Sequence, residues 1–297
     1  MEIKTLLVPV SGQVDVREPL ESALRLARSF QAHVEALHVS VDPRESVAYL
    51  SEGMPGSMIE SVMEATEQEA GQRAARAKKL FDDLCDSSGT QIMAAPRTSS
   101  SVVGAATAHF HLEVGQESEF IGVRGRLADL IVLAQPQPDI PSFGSAAVHA
   151  ALTDTGRPVL ILPATDDGAG LMEVSWKKIA IFWNGSAEAA RAVGYSLAFL
   201  KEADEIVIMI IDEHNNRTEM VDDLVDYLAW HGVNAVSKVV LPEEMSAGGA
   251  LLSESEAFGA DLLVTGAYTH SRLRRLIFGG VTGIVLDNSD IPVLMAH

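Results

Sequence analysis

The sequence is poor in several features that would each point to a class of protein. It holds a single cysteine, Cys85, so no disulfide can form within the chain, which fits a reducing compartment. No apolar run approaches the roughly 18 residues that a membrane-spanning helix requires. Lysine and arginine total 22 against 41 acidic residues, for a net charge of −19. Because nucleic acids and anionic membranes are bound through clustered basic residues, we expect neither as a partner.

The first residues contain no pattern of a secretory signal. The opening segment "IKTLLVPV" reads directly as a strand and has no basic flank followed by a signal-type apolar core. We therefore expect a cytoplasmic location.

What the sequence does contain is an internal duplication. Three pairs of similar segments occur in the same order: "KTLLVPVSG" and "KKIAIFWNG", "ADLIVLAQP" and "ADLLVTGAY", "RPVLILP" and "IPVLMAH". A stretch whose start is rich in Gly and Asp follows Pro163 and is typical of a linker. We therefore predict two repeated domains, residues 1–165 and 174–297.

Apolar strands alternate with helical patterns in each half, which predicts two tandem, doubly wound parallel α/β sheets covered by helices. In the second half the predicted strands are Lys178–Trp183, Glu205–Ile211, Ala235–Leu241, Leu262–Thr265 and Pro292–Ala296. The predicted helices there are Ala187–Leu200, Thr218–Trp230, Ala247–Phe258 and Gly280–Asn288. In the first half the predicted strands are Thr5–Val10, Val34–Val41, Ala106–Val114, Leu130–Leu133 and Val159–Leu162, and a long helix lies near Ile59–Cys85.

A segment rich in glycine and arginine follows the fourth strand of the second half. It reads "GAYTHSRLRRLIFGG" and runs from Gly266 to Gly280 into a predicted helix. The first turn of a helix offers unpaired N–H groups and the positive end of the helix dipole, which together bind anions. Arg272, Arg274 and Arg275 add basic charge in an acidic protein. These arginines could attract a phosphate group, they could lie in a solvated loop, or they could contact the other half of the chain. Spacing alone leaves these alternatives open.

These residues resemble the universal stress protein family. Its nucleotide-binding members carry G-x2-G-x9-G-[S/T] after the fourth strand, and the same spacing joins Gly266, Thr269, Gly279 and Gly280 here. Thr269 replaces the second glycine and Gly280 replaces the Ser/Thr. The family also ends its first strand with Asp-Gly-Ser, where this chain has "NGS" at 184–186. Asparagine keeps the hydrogen bonding but loses the charge that would assist a metal.

The resemblance covers nearly the whole chain and implies an architecture and a site. The architecture is a tandem pair of Rossmann-like domains of the adenine nucleotide alpha hydrolase type, forming an intrachain pseudo-dimer. Their last strands, Val159–Leu162 and Pro292–Ala296, would pair with each other and protect both sheet edges. The site, in the second half, would take ATP or a related adenine nucleotide, with or without Mg²⁺.

The implied site has two sides. The side toward adenine and ribose would be formed by Asn184 and by the backbone around Phe182, Trp183 and Ile211. The phosphate side would be formed by Gly266, Gly279, Gly280 and Thr282. The remaining residues of the implied site are Gly185, Ser186, Arg272 and Val281. Trp183 is expected either to stack on a base or to belong to the core.

The first half departs further from the family pattern. No glycine follows Leu133 at the position that corresponds to Gly266, and Gln135, Pro136 and Pro138 stiffen that loop. The segment "FGSAAV" from Phe143 is similar to the terminal Gly-Ser of the family motif. We expect this half to lack nucleotide.

Two interpretations of function stay open. The first is a nucleotide-binding stress or signalling module that uses the second half. The second is a structural or interaction protein, or a binder of another small ligand, in which both loops have diverged. If the protein has any enzyme activity, we expect only slow ATP hydrolysis. The sequence shows no general base, no Ser-His-Asp set and no Cys-based site.

Two weaker patterns lie in the first half. The segment "VSGQVDV", residues 10–16, partly matches the S-G-G-x-D-S loop of ATP pyrophosphatases. His109 and His111 share one face of a strand, as metal ligands do, but no third ligand stands at a useful spacing. We expect an exposed face there and no metal.

Overall fold

One sheet runs through the whole molecule in the computed structural model, which describes residues 2–12, 17–44, 56–94, 105–136, 143–163, 176–211, 218–242, 244–268 and 280–297. The strands are β1 Thr5–Pro9, β2 His33–Ser40, β3 Gln91–Ile92, β4 Thr107–Val114, β5 Leu130–Ala134, β6 Val159–Leu162, β7 Lys178–Phe182, β8 Glu205–Ile211, β9 Val236–Val240, β10 Leu262–Gly266 and β11 Val293–Ala296. The helices are α1 Glu18–Phe30, α2 Gly56–Ser88, α3 Glu117–Gly125, α4 Phe143–Asp154, α5 Ala187–Leu200, α6 Thr218–Trp230, α7 Ala247–Phe258 and α8 Val281–Asn288.

The order of the strands confirms the predicted fold class. Across the sheet it is β3-β4-β2-β1-β5-β6-β11-β10-β7-β8-β9, and within each half all pairings are parallel. The order therefore reverses between β1 and β5 in the first half and between β7 and β10 in the second. In parallel sheets, ligands bind at the carboxyl ends of the strands beside such a reversal.

The two halves meet at an antiparallel pair of strands, as the predicted pseudo-dimer requires. β6 pairs with β11, and Leu160 stands opposite Leu294. This pairing satisfies the backbone groups that each half would otherwise expose at a sheet edge. Side chains add to the junction: the rings of Phe30 and Phe199 pack edge to face at 5.5 Å, and the Tyr195 hydroxyl donates to the Gly156 carbonyl at 3.1 Å.

The duplication is visible in the hydrogen bonding as well as in the strand order. In each half the aspartate of the repeated "ADL" segment accepts hydrogen bonds from two backbone N–H groups at the start of the first strand. Asp129 does so at 2.8 and 2.9 Å, and Asp261 at 2.7 and 3.0 Å. After the first strand each half turns through a glycine in the left-handed region, with φ of 67° at Gly12 and 74° at Gly185. Only glycine adopts that conformation without a steric cost.

Helices cover both faces of the sheet and divide the core into two layers. One layer includes Leu24 of α1, Phe81 of α2 and Leu200 of α5, and the other includes Ile121 of α3 and Leu286 of α8. Each of these side chains is at most 1% exposed. Along the part of the chain that the structure covers, no helix has the length and apolar character that a membrane crossing demands.

Several elements lie outside the pattern-based prediction. Helices α1 and α3 and the short strand β3 were not assigned from the sequence, and α2 extends beyond its predicted ends. A proline is tolerated in the first turn of a helix, where Pro19 stands in α1. β3 has only two residues, which is too short for a period-two pattern. The proposed boundary between the domains falls within residues 164–175, outside the described residues.

Candidate functional site

The strand ends of the second half gather at the point where strand order reverses. Phe182, at the end of β7, lies opposite Met209 of β8 and Thr265 of β10. Because these strands are parallel, the residues that follow them gather at one edge of the sheet. The structure thus brings Trp183, Asn184, Ile211 and Gly266 to this edge, where the resemblance placed a nucleotide. The side chain of Phe182 is 4% exposed and belongs to the core, so that only its backbone is available to a ligand.

The segment "NGS" forms a turn that leads into helix α5. The Ser186 N–H donates to Asn184 Oδ1 at 3.0 Å, and Ser186 Oγ accepts from the Ala189 N–H at 3.1 Å as the N-cap of the helix. Gly185 between them supplies the left-handed turn. An aspartate could make the same turn, so the asparagine preserves the local structure and changes only the charge at this edge.

Gly266 has a structural role that requires no ligand. A Cβ at this position would lie 2.5 Å from the Ala189 N and 2.8 Å from the Glu188 carbonyl carbon, both backbone atoms of the first turn of α5. Real Cβ atoms do not approach backbone that closely. The glycine therefore lets α5 pack against the end of β10, in addition to any role beside a phosphate.

Helix α8 begins beside the exit of β10. Gly280 is its N-cap, with a φ of 114° and no side chain that could bond the first-turn N–H groups. The Thr282 hydroxyl accepts a hydrogen bond from the Tyr268 N–H at 3.3 Å, which ties the helix to the strand exit. Val281 and Thr282 are both half-buried. The first turn of α8 thus faces the same edge of the sheet as Gly266.

Some of the expected site residues fall outside the described residues. Arg272 and Gly279 lie in the segment 269–279, together with Thr269, Arg274 and Arg275. Of the two alternatives for Trp183, the core interpretation fits the packing, because its half-buried ring contacts the main apolar cluster. Its indole N–H is buried and has no hydrogen-bond partner within the described ranges.

In the first half, helix α2 occupies part of the corresponding space. A Cβ at Gly12 would lie 2.2 Å from the Arg73 carbonyl oxygen of α2, and the Gly12 carbonyl accepts from Arg76 Nε at 3.0 Å. On the opposite side, Gln135 Nε2 donates to the Leu286 carbonyl of α8 at 2.7 Å. The loop that lacks the family's glycine therefore contacts the other half of the molecule.

A pocket of about 410 Å³ remains in the first half, beside the blocked loop. Its apolar lining comes mainly from β2 and α2, and its polar lining includes His38, Arg73 and Glu117. His38 is 2% exposed, and its Nδ1 contacts the Val10 carbonyl at 2.6 Å, while Nε2 is buried without a partner among the described residues. Burial lowers the pKa of His38 and raises that of Glu117 to about 7. The pocket therefore offers a neutral imidazole and a carboxyl group that titrates near neutrality.

The single cysteine is not a candidate for chemistry. Cys85 is buried in α2, and burial, with help from Asp82 and Asp86, raises the pKa of its thiol to about 11. A thiol in this state is neither a nucleophile nor a ready metal ligand at neutral pH.

The expectation that His109 and His111 have no third ligand is corrected by the structure. Glu35 of β2 lies directly opposite His109 of β4. A ligand atom from each of the three residues lies within 4.8 Å of the other two, and all three are half-buried. The sequence spacing could not show this, because the carboxylate comes from a neighbouring strand more than seventy residues away.

Comparison with known proteins gives a family match for part of the chain and similar folds for the whole. Residues 175–297 match the family model described as the universal stress protein family. The chain is similar in structure to a universal stress protein from Archaeoglobus fulgidus DSM 4304, with 14% identity, a TM-score of 0.68 and coverage of 100% of this chain and 99% of that chain. It is also similar to a putative universal stress protein from Pseudomonas aeruginosa UCBPP-PA14, with 14% identity, a TM-score of 0.57 and coverage of 99% and 93%.

Among curated proteins, no match was found. At such low identity the two structures show a shared fold alone, and the family match covers residues 175–297. Residues 175–297 are therefore similar to the universal stress protein family, and over its whole length the chain has the fold of structures described as universal stress proteins.

Proposed function

We propose that the second half binds ATP or a related adenine nucleotide in the crevice between β7 and β10, and that the protein acts as a cytoplasmic stress or signalling module. The observation that carries this proposal is the uncapped start of α8. Helices α5 and α7 begin at serines whose hydroxyls accept first-turn N–H groups, whereas α8 begins at Gly280. Among the described residues no side chain caps its first-turn N–H groups, and such groups, together with the helix dipole, favour a phosphate there.

The surroundings of α8 support the same ligand. Gly266 and the turn at Asn184 lie at the carboxyl ends of adjacent strands, which is where nucleotides bind in doubly wound sheets. We assign Gly279 to the phosphate side by the family motif, and Arg272 by its basic charge. Because Asn184 is uncharged and its Oδ1 already accepts from Ser186, we propose that it does not supply a carboxylate-like ligand to Mg²⁺.

The test compares Val281→Glu with Val281→Gln. Both changes remove the same apolar packing, but only the first places a carboxylate in the first turn of α8. A negative charge there suits the helix dipole, so that the fold is retained, but it repels phosphate. Isothermal titration of nucleotide-stripped protein with ATP, AMP and cAMP should show roughly tenfold or greater loss of affinity for Val281→Glu relative to Val281→Gln. Equal nucleotide affinities of the two variants would show that the first turn of α8 does not bind the phosphate.

A second candidate function follows from the pocket in the first half. We propose that it binds a small organic molecule that donates a hydrogen bond to the unpartnered Nε2 of His38. Its volume of about 410 Å³ lies in the range of small-molecule sites. Mass spectrometry of molecules released from the purified protein should identify such a ligand, and Ala70→Phe, which fills the pocket, should abolish its recovery. Recovery of the same molecule at the same yield from Ala70→Phe would exclude this pocket.

A further inference from the structure

The outer part of the first-half sheet carries a row of histidines and a glutamate on one face. Strands β2 and β4 are neighbours, and their register places His33 opposite Thr107 and Glu35 opposite His109. Because alternate residues of a strand share a face, His111 lies on the same side as His109 and next to Glu35. The cluster is therefore a product of the pairing between two strands.

The side chains of this cluster are already in contact. His109 Nδ1 lies 2.9 Å from His111 Nε2, and His111 Nε2 also contacts the Glu35 carboxylate. The rings of His109 and His111 stand edge to face. Three ligand atoms thus converge on one volume within 4.8 Å of each other.

The donor set and its spacing match those of a transition-metal site. Two imidazoles and one carboxylate are the ligands of many zinc centres, with a water completing a tetrahedron. Bonds of about 2.1 Å in a tetrahedron separate the ligand atoms by roughly 3.4 Å. His109 Nδ1 and His111 Nε2, at 2.9 Å, are closer than that value, so rotations about χ1 and χ2 that move the three side chains apart would admit an ion between them.

A fourth residue holds the carboxylate in place. His33 Nε2 bonds Glu35 Oε1 at 3.1 Å, and His33 Nδ1 bonds the Thr107 hydroxyl at 2.7 Å. The arrangement leaves Glu35 Oε2 on the side of His111. Hydrogen-bonded partners of this kind are typical of metal centres, where they fix the orientation of the ligands.

The overall charge of the protein favours a cation. The net charge of −19 attracts cations to the molecule.

We propose that Glu35, His109 and His111 form a binding site for a divalent transition-metal cation, with zinc as the preferred ion. His33 is a positioning residue that orients Glu35. The ion links β2 to β4 and stabilises the outer strands of the first half. The site lies in the opposite half from the proposed nucleotide crevice, and neither proposal depends on the other.

The experiment is a zinc titration of the chelator-treated, full-length protein against a chromophoric competitor. We expect one equivalent of zinc per chain with micromolar or tighter affinity, and a rise in Tm on zinc addition, because an ion that binds only the folded state stabilises it. Cobalt should give the visible absorption bands of a tetrahedral complex. Stoichiometry well below one equivalent, with no change in Tm, would overturn the proposal and leave only a hydrogen-bonded cluster.

Variants test the individual ligands. Glu35→Gln and His111→Asn should each weaken zinc binding by more than roughly 100-fold and abolish the cobalt bands, whereas His33→Gln should weaken it by about tenfold. His231→Asn, which removes a histidine far from the cluster in sequence, is the matched control and should bind zinc as the parent does. Unchanged zinc affinity in both Glu35→Gln and His111→Asn would show that the ion binds elsewhere.

Discussion

The contact between Gly266 and helix α5 leads to a prediction that separates packing from ligand binding. In Gly266→Ala the new methyl group meets two backbone atoms, at 2.5 Å from the Ala189 N and 2.8 Å from the Glu188 carbonyl carbon. Backbone cannot rotate away as a side chain can, so α5 must shift by roughly 1 Å relative to β10. Overpacking of this kind costs about 1–3 kcal/mol. For a protein of this size, that corresponds to a fall in Tm of roughly 2–5 °C.

The matched control lies in the same helix. Gly194 is in the interior of α5, where an added Cβ would have no neighbour within 4 Å and the backbone has no left-handed φ. Gly194→Ala should raise stability by about 0.5–1 kcal/mol, because alanine is the better helix former. Differential scanning calorimetry without nucleotide measures both effects. A Gly266→Ala protein with the parental Tm but without ATP affinity would refute the packing argument and assign this glycine to the phosphate alone.

Three further predictions concern the first half and the junction. The raised pKa of Glu117, about 7 against an ordinary 4.5, means that the folded state favours the protonated form, so stability should fall as pH rises from about 4.5 to 7. Glu117→Gln should remove this loss and stabilise the protein at pH 8 by roughly 1–3 kcal/mol, with exposed Glu119→Gln as the control, as measured by Tm at pH 5 and pH 8. The Cys85 thiol, with a pKa of about 11, should resist a thiol reagent at pH 7 until the chain is unfolded, and rapid native labelling would contradict its burial. Gln135→Glu should lower the Tm by several degrees, because it sets a carboxylate against the Leu286 carbonyl, and an unchanged Tm would mean that this bond contributes nothing.

The sequence predicts most strands of this fold, because the internal duplication shows similar strand segments in both halves. Helix α5 and strand β8 have their predicted bounds, since the serine cap marks one and a continuous apolar run marks the other. The gathering of Asn184 and Gly266 at one edge also follows from sequence, because parallel strands end at the same side. These are properties of local pattern and of topology.

Contacts between elements are the part that sequence does not encode locally. The distance between Gly12 and α2 depends on how a helix of 33 residues lies across the sheet. The hydrophobic periodicity of the sequence does not predict that orientation. The position of Glu35 beside His109 depends on the register of two strands separated by a long insertion. Both features become evident only when the strands are paired.

The antiparallel junction of β6 and β11 also fixes the directions from which the molecule can be approached. All strands of the first half run one way and all strands of the second half run the other. Their carboxyl ends, and with them the pocket beside Glu117 and the turn at Asn184, therefore lie on opposite edges of the continuous sheet. A ligand or protein that docks at one edge leaves the other accessible. Any communication between the two edges must pass through the shared strand pair and the side-chain contacts beside it, such as Phe30 with Phe199 and Gln135 with the Leu286 carbonyl.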